Sequence, residues 1–99
     1  MNNFKDKIIW ITGASSGLGE ALAYEFSQKG AKIILSGRNE EVLKNLSSRI
    51  ENSKTVIFDI SDPTVLQIKV DEAIATYGHV DMVIHNAGVT QNSTVIDTL

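Results

Sequence analysis

The sequence predicts an α/β fold in which a parallel β-sheet carries helices on both of its faces. Short apolar runs alternate with longer amphipathic ones in the order βαβαβαβ along the 99 residues. The apolar runs are continuous, as in Ile8-Ile9-Trp10-Ile11, which is typical of strands covered on both faces. Strands joined by helices pair in parallel through right-handed crossovers. We therefore expect a doubly wound, three-layer αβα arrangement with strand order 3-2-1-4.

The first strand and the first helix are expected on either side of a glycine-rich turn. The strand covers residues 7–12, and the helix follows the turn and stops at Gly30, a residue type common at helix ends. Apolar side chains recur at helical spacing and predict the buried face of this helix. They are Leu18, Ala21, Leu22 and Phe26.

The second unit repeats this pattern with a strand over residues 32–36 and a helix that begins after Asn39. Asparagine is a favoured N-cap because its side-chain oxygen accepts a backbone N–H of the first turn. A third strand is expected over residues 55–60. The predicted apolar stripe of the second helix consists of Val42, Leu46 and Ile50.

The third helix starts at a cap formed by Ser61 or Asp62, with Pro63 in its first turn, and ends at Gly78. A fourth strand is expected over residues 80–86, and residues 93–99 are expected to open a further helix. The third helix has an apolar face of its own. Its members are Leu66, Val70, Ala73, Ile74 and Tyr77.

A glycine turn joins the first strand to the first helix, in the segment Thr12-Gly13-Ala14-Ser15-Ser16-Gly17-Leu18-Gly19. Gly13 permits a tight turn, while Gly17 and Gly19 let the helix start approach a pyrophosphate and pack on the strand. Backbone N–H groups and the positive end of the helix dipole favour an anion there. The turn lacks the G-K-[ST] of a P-loop, which excludes that type of ATP or GTP site.

Four motifs stand in order at the predicted strand ends. They are Thr12-Gly13-x-x-x-Gly17-x-Gly19, Gly37-Arg38, Asp59-Ile60 and Asn86-Ala87-Gly88. Together they resemble the cofactor-binding half of the short-chain dehydrogenase/reductase family, and the similarity covers essentially the whole chain. The resemblance implies a Rossmann-type fold and hydride transfer between a nicotinamide dinucleotide and a small carbonyl or alcohol.

The resemblance also implies which residues bind the cofactor. The expected set is Gly13, Ser15, Ser16, Gly17, Leu18, Gly19, Gly37, Arg38, Asn39, Asp59, Ile60, Asn86, Ala87 and Gly88. Those of the turn surround the pyrophosphate, Asp59 and the Ile60 backbone meet the adenine, and residues 86–88 pass beside the ribose. The alternative for Asp59 is a surface carboxylate that caps a loop. Asn86 is also expected to tie the fourth strand to its neighbours.

The end of the second strand favours NADP over NAD. NAD enzymes usually place an acidic residue there for the ribose 2′-hydroxyl, whereas this chain has Gly37 and then Arg38. A guanidinium binds a 2′-phosphate in a forked, charge-assisted pair, to which Ser15 and Asn39 add donors. The alternative is that Arg38 is a solvated residue at a helix start. The missing acidic residue also disfavours a methyltransferase on a related sheet.

The family's reactive pair, a Tyr-x-x-x-Lys, is not found in this sequence. Tyr24 is followed four residues later by Gln28, and Tyr77 by Asp81, so no catalytic residue is assigned. We therefore expect residues 1–99 to be the N-terminal, cofactor-binding half of an NADP-dependent oxidoreductase domain, inactive alone. The alternative is a non-catalytic NADP-binding module or sensor.

Composition narrows the partners. A net charge of -3 gives no basic surface for nucleic acid, and the absence of cysteine removes disulfides and thiolate metal ligands. We expect a cytoplasmic protein without a membrane span or metal site. The resemblance implies a homo-oligomer, and the segment 87–91 resembles reductases of lipophilic substrates.

Two further expectations concern the fourth strand. An open edge along Met82-Val83-Ile84 predicts self-association of the isolated chain. His85 stands where the family usually has a first asparagine, and we interpret it as a structural strand residue, with His79 in a solvated turn.

Overall fold

The computed structural model describes residues 4–14 and 17–86, and the backbone of residues 93–96. The elements are β1 (Ile8–Thr12), α1 (Gly17–Gln28), β2 (Lys32–Gly37), α2 (Glu40–Arg49), β3 (Ser53–Ile57), α3 (Pro63–Tyr77), β4 (Met82–Asn86) and β5 (Ser93–Ile96). The sheet order is β3-β2-β1-β4-β5, in which the first four strands are parallel and β5 runs antiparallel to β4. The predicted order 3-2-1-4 and the doubly wound α/β class are confirmed.

The central strand β1 is buried along its whole length and supplies both faces of the sheet. Successive side chains of a strand point to opposite faces. Ile9 and Ile11 pack in a cluster with residues of α1 and α2, while Ile8 and Trp10 pack in a second cluster against α3. This division explains why the apolar run is continuous rather than alternating.

The third strand lies two to three residues earlier than predicted, at Ser53–Ile57 rather than residues 55–60. The chain leaves the sheet after Phe58, whose backbone N–H still donates to the Gly37 carbonyl at 3.0 Å. Asp59 then accepts the Ser61 backbone N–H at 2.9 Å, a turn that aspartate commonly forms. The Asp59-Ile60 motif therefore lies just beyond the strand. The fourth strand starts at Met82, two residues later than the predicted start at residue 80.

The buried face of α1 differs from the predicted one. Leu18 is 44% exposed and Ala21 is exposed, whereas Gly19 and Ala23 are buried. Small side chains bring the helix close to the sheet, so its face is centred on them rather than on the larger apolar residues. Leu22 and Phe26, also predicted for this face, are partly buried against the core.

One predicted member of each face is wrong in α2 and in α3, and the other members are confirmed: Leu46, Ile50, Val70, Ala73, Ile74 and Tyr77. Val42 is 40% exposed and Leu43 is buried in its place, and Leu66 is exposed while Val65 packs against the core. A shift of one residue along a helix moves the side chain by about 100° around the helix axis. Apolar spacing alone did not distinguish between neighbouring positions.

The helix ends follow the predicted caps. Asn39 accepts the Val42 N–H at 3.1 Å, and Asp62 accepts the Thr64 N–H at 2.9 Å with Pro63 directly after it. Gly78 ends α3 at φ 100°, in the left-handed region that favours glycine. None of the helices in this part of the chain has the length and apolarity needed to cross a membrane.

The predicted helix over residues 93–99 is wrong where the structure describes it. Ser93–Ile96 form β5, with Ser93 opposite Asn86. The β-branched run from Thr94 to Ile96 favours a strand, and pairing satisfies backbone groups at the edge of β4. The open edge from which we predicted self-association is therefore covered by β5.

Candidate functional site

Parallel pairing brings the predicted motifs to one edge of the sheet. Thr12 at the end of β1 lies opposite Ser36 on β2 and His85 on β4. Gly37 at the end of β2 lies opposite Ile57, the last residue of β3. The carboxyl ends of four parallel strands thus form one edge, where ligands bind in open α/β sheets.

Two glycines of the turn are required by the close approach of backbone segments. Gly13 has φ 72°, and a Cβ added there would collide with the Asn86 carbonyl oxygen. A Cβ on Gly19 would lie 2.5 Å from the Gly13 carbonyl oxygen and 2.7 Å from the Ala14 Cα. These contacts are with backbone atoms, which cannot move aside easily. Both glycines are therefore explained by packing within the chain.

Gly17 has a different environment. A Cβ added at Gly17 would meet nothing within 4 Å among the described residues, and no left-handed φ requires glycine there. This residue begins α1, where backbone N–H groups of a first turn have no partner within the helix. A side chain at Gly17 would occupy this open space at the start of α1. The first turn therefore fits an anionic ligand, because glycine leaves that space free.

Neighbouring strands hold the turn in place from both sides. The Ala14 N–H donates to the Ser36 carbonyl at 3.0 Å, and the Asn86 side-chain amide donates to the Gly13 carbonyl at 3.2 Å. Asn86 is only 3% exposed, so its amide is a fixed part of the interior. The structure confirms that Asn86 ties β4 to its neighbour.

Arg38 and Asn39 follow β2 at the same edge. Both are exposed, and with Glu40 they line a shallow depression. The Asn39 side-chain oxygen is engaged in the cap of α2, which leaves its NH₂ group as the part that could meet a ligand. No ion pair or hydrogen bond of the Arg38 side chain occurs among the described residues, so its guanidinium is available.

Asp59 lies next to this depression with its carboxylate partly engaged. Its Oδ1 accepts the Ser61 hydroxyl at 2.7 Å and the Ser61 backbone N–H at 2.9 Å. These hydrogen bonds, with a smaller effect of the nearby Arg38 charge, hold the pKa of Asp59 below its usual range. The loop-capping interpretation of Asp59 thus describes Oδ1, and adenine recognition stays a prediction. Ile60 beside it is 39% exposed.

Four predicted site residues lie outside the described residues: Ser15, Ser16, Ala87 and Gly88. Sequence reasoning missed two contacts at this edge, the Ser61 bonds to Asp59 and a hydrogen bond between Thr12 and His85 at 2.7 Å. Each of these two residues directly precedes a motif residue, Gly13 or Asn86, and this shared position was the signal for the second contact.

Neither tyrosine is placed for proton transfer at this edge. The Tyr24 hydroxyl accepts Arg49 Nη1 at 2.9 Å on the surface of α1, and Tyr77 donates to the Asn52 carbonyl at 3.2 Å. Burial raises the pKa of Tyr77, the opposite of what a general base near neutral pH needs. The structure therefore gives no reason to assign either tyrosine a catalytic role.

A comparison of the sequence with known protein families agrees with the strand order, the glycine turn and the motifs at the sheet edge. The family model described as short chain dehydrogenase matches residues 7–98. The chain belongs to this family. Short chain dehydrogenases are oxidoreductases, and the recognised relatives carry names of that kind.

Two curated relatives illustrate the match. A "Dehydrogenase/reductase SDR family member 7B" from Bos taurus is 36% identical, over 95% of this chain and 32% of its own length. An uncharacterized oxidoreductase from Staphylococcus epidermidis is 37% identical, over 98% of this chain and 43% of its own length. The chain thus spans about a third to two fifths of the length of these relatives.

Solved structures show the same fold. A short chain dehydrogenase from Bacillus anthracis aligns with a TM-score of 0.75 and 32% identity, covering 82% of this chain and 34% of its own. A 3-ketoacyl-(acyl-carrier-protein) reductase from Brucella melitensis, solved in complex with NADH, aligns with a TM-score of 0.74 and 30% identity, covering 80% and 33%.

Proposed function

We propose that this chain is the cofactor-binding part of an NADP(H)-dependent short-chain oxidoreductase that reduces carbonyls or oxidises alcohols. Residues 1–99 would supply the N-terminal half of the nucleotide-binding domain, with the reactive residues carried elsewhere in the protein. The bound nicotinamide would supply the hydride. The observation that carries the proposal is the open first turn of α1 at the edge where Arg38 follows β2.

The geometry of the turn supports a dinucleotide. Packing among the described residues explains Gly13 and Gly19 but not Gly17, so a ligand that needs the space is the simplest reason for glycine at that position. A pyrophosphate is such a ligand, because it accepts backbone N–H groups and is favoured by the helix dipole. The NADH bound to the Brucella melitensis reductase supports a nicotinamide dinucleotide in this chain as well.

Arg38 supports a 2′-phosphate on the adenosine ribose. The last residue of β2 is Gly37, and the next side chain is an exposed guanidinium without a described partner. Its charge would pair with a phosphate dianion, whereas an NAD ribose offers only a hydroxyl. Asn39 would add a donor through its NH₂ group.

The test is the affinity of Arg38→Ala for both cofactors. Loss of a charge-assisted bond to the phosphate costs about 1.5–3 kcal/mol, so NADPH binding should weaken roughly 10- to 100-fold. NADH binding should change by less than about threefold, since the lost partner is absent from NADH. Calorimetric titration of both cofactors into the wild-type and variant proteins measures the two ratios.

Arg49→Ala is the matched control, because Arg49 lies at the far end of α2 and is also exposed. It should leave both affinities unchanged. Equal losses for NADPH and NADH in Arg38→Ala would contradict the NADP assignment. Absence of binding for either cofactor would contradict the dinucleotide site itself.

The alternative, a non-catalytic NADP-binding module or sensor, is supported by one observation. Tyr24 and Tyr77 both lie outside a Tyr-x-x-x-Lys and away from the glycine turn. The complete protein that carries this chain distinguishes the two. An oxidoreductase consumes NADPH with a carbonyl substrate, whereas a sensor binds NADPH and leaves its absorbance unchanged.

Several finer expectations stay predictions within this proposal. We expect a small, lipophilic carbonyl or alcohol substrate, a homo-oligomer and a cytoplasmic location. Size-exclusion chromatography of the complete protein tests the second of these, and a panel of ketones of increasing apolar surface tests the first.

A further inference from the structure

The ends of β1 and β4 are joined by a side-chain hydrogen bond directly beneath the glycine turn. Thr12 and His85 are partners in the parallel register, and the Thr12 hydroxyl shares a hydrogen bond with His85 Nδ1 at 2.7 Å. Thr12 is 3% exposed and His85 is half-buried. Because strand pairing fixes only the backbone, this bond is an additional, side-chain link between the two strand ends.

The residues that follow this link form the contact between the turn and β4. Gly13 and Asn86 come next, and their backbones are so close that a Cβ on Gly13 would collide with the Asn86 carbonyl oxygen. The Asn86 amide also donates to the Gly13 carbonyl at 3.2 Å. We therefore expect a change in the spacing of Thr12 and His85 to reach the turn, because the backbones of Gly13 and Asn86 are already in close contact.

The polar side chains beside Thr12 are themselves hydrogen-bonded. Trp10 lies on the same side of β1, and its indole N–H donates to the Ser36 hydroxyl at 2.7 Å. No buried side-chain nitrogen or oxygen lacks a partner in the described part of the chain. Loss of the imidazole would leave the buried Thr12 hydroxyl without this partner, so the surrounding strand ends would have to rearrange.

We propose that His85 is a positioning residue which acts through Thr12 to set the glycine turn against β4 and thereby strengthens binding of the nicotinamide dinucleotide. The inference rests on the proposed function, since it concerns the same cofactor site. His85 does not touch the cofactor in this account. Its effect is on the distance between Gly13 of the turn and Asn86 of β4.

The test uses three variants of the link in the protein. Thr12→Val removes the hydroxyl with little change of shape, His85→Phe keeps a ring without its nitrogens, and the third variant combines both. Each should weaken NADPH binding about fivefold, and the double variant should be no worse than either single one. His85→Asn keeps a donor and an acceptor and should stay within about twofold of wild type. Fluorescence titration with NADPH at a temperature where all variants are folded measures these values.

His79→Phe is the control, because His79 lies in the exposed turn before β4 and should leave the affinity unchanged. A His85→Phe variant that is less stable yet binds NADPH as tightly as wild type would overturn the inference, as would additive losses in the double variant. Wild-type protein that binds neither cofactor would instead overturn the proposed function.

A second measurement uses only wild-type protein, so it does not depend on whether the variants fold. Residues 1–99 contain two histidines, so nitrogen NMR of this labelled wild-type chain resolves each imidazole. NADPH should shift the His85 Nδ1 resonance and leave His79 unchanged. An unchanged His85 resonance at saturating NADPH would count against the inference without any substitution.

Discussion

Three glycines of one turn have different physical reasons to be glycine. Gly13 and Gly19 are required by backbone atoms of the chain itself, while Gly17 faces open space among the described residues. Substitution should therefore separate folding from binding at this turn. The sequence motif alone treats the three positions alike.

Gly17→Ala should preserve the fold and impair binding. Alanine is a better helix former than glycine by up to about 1 kcal/mol, so the free energy of unfolding should stay equal or rise slightly. The new methyl group would stand in front of the first turn of α1 and weaken NADPH binding at least tenfold. Urea unfolding and cofactor titration measure the two effects. Wild-type affinity in this variant would mean that the ligand does not lie at Gly17.

Gly19→Ala should do the reverse and destabilise the protein. Its Cβ would lie 2.5 Å from the Gly13 carbonyl oxygen. Overpacking of this kind costs about 1–3 kcal/mol, which the urea midpoint should show without cofactor. Equal stability of Gly19→Ala and Gly17→Ala would show that the turn relaxes more easily than its contacts indicate.

The sequence predicted which motifs lie together at one edge of the sheet, but it predicted fewer of the hydrogen-bond partners there. The order of motifs at strand ends placed Gly13, Arg38 and Asn86 at one edge, because parallel strands share their carboxyl ends. The partner of Asp59 was not predictable in the same way. Ser61 reaches the carboxylate only because the strand ends at Ile57, and strand ends are poorly fixed by apolar runs.

At the scale of elements, a single carboxylate joins the amino ends of β1 and β4. Asp81 Oδ2 accepts the Ile8 backbone N–H at 2.8 Å, and the Asp81 N–H donates to the Ile8 carbonyl at 2.8 Å. The bond from the Ile8 N–H is the main reason that the pKa of Asp81 lies below its usual range, with smaller contributions from His79 and Lys7. Strand β4 is thus anchored to β1 at the edge opposite the glycine turn.

Asp81→Asn should lower the free energy of unfolding at neutral pH by about 1 kcal/mol, since the amide loses the charge that strengthens this bond. A carboxyl whose pKa is lower in the folded state stabilises the protein above its unfolded pKa, and that contribution disappears as the pH falls through the folded pKa. The difference between wild type and variant should therefore be present from pH 7 to 5 and shrink below about pH 4.

Urea unfolding of both proteins across this pH range gives the comparison. Asp71→Asn is the control, because Asp71 is exposed on α3 and its carboxylate accepts a hydrogen bond from Gln67 of the same helix. A wild-type to Asp81→Asn difference that persists unchanged at pH 3 would exclude the charge of Asp81 as its cause.

The sequence predicted the type of most elements correctly, but it did not predict β5 or the buried face of α1. Residues 93–96 have the β-branched composition of a strand, but the alternation of earlier elements favoured a helix, and pairing with β4 decided the outcome. The face of α1 is set by the close approach of Gly19 and Ala23 to the sheet. Both depend on tertiary contacts, which a local apolar pattern does not contain.

On the scale of the whole molecule, the sheet separates two apolar clusters. One lies against α1 and α2, and the other lies against α3, with β1 contributing to both. The edge that we propose for the cofactor joins β1, β2, β3 and β4, so a ligand bound there would contact segments attached to both clusters. Binding should therefore stabilise the entire fold rather than one part of it.

Saturating NADPH should raise the melting temperature of the protein in one cooperative transition. A ligand at 100 times its Kd adds about 2.7 kcal/mol to the stability of the folded state. For a chain of this size that corresponds to a shift of roughly 10–20 °C. Differential scanning fluorimetry with NADPH, NADH and neither cofactor measures it, and Arg38→Ala should reduce the NADPH shift alone. Identical melting curves in all three conditions would contradict binding at this edge.

The interior position of Trp10 has a practical consequence. Trp10 is the sole tryptophan of the chain and is 3% exposed. It lies in β1, two residues before Thr12, and its indole N–H donates to the Ser36 hydroxyl. The wavelength of its fluorescence emission maximum should change when the protein unfolds. A reduced nicotinamide bound nearby should quench this fluorescence through energy transfer. One unlabelled chromophore would then report both denaturation and occupancy in the same cuvette.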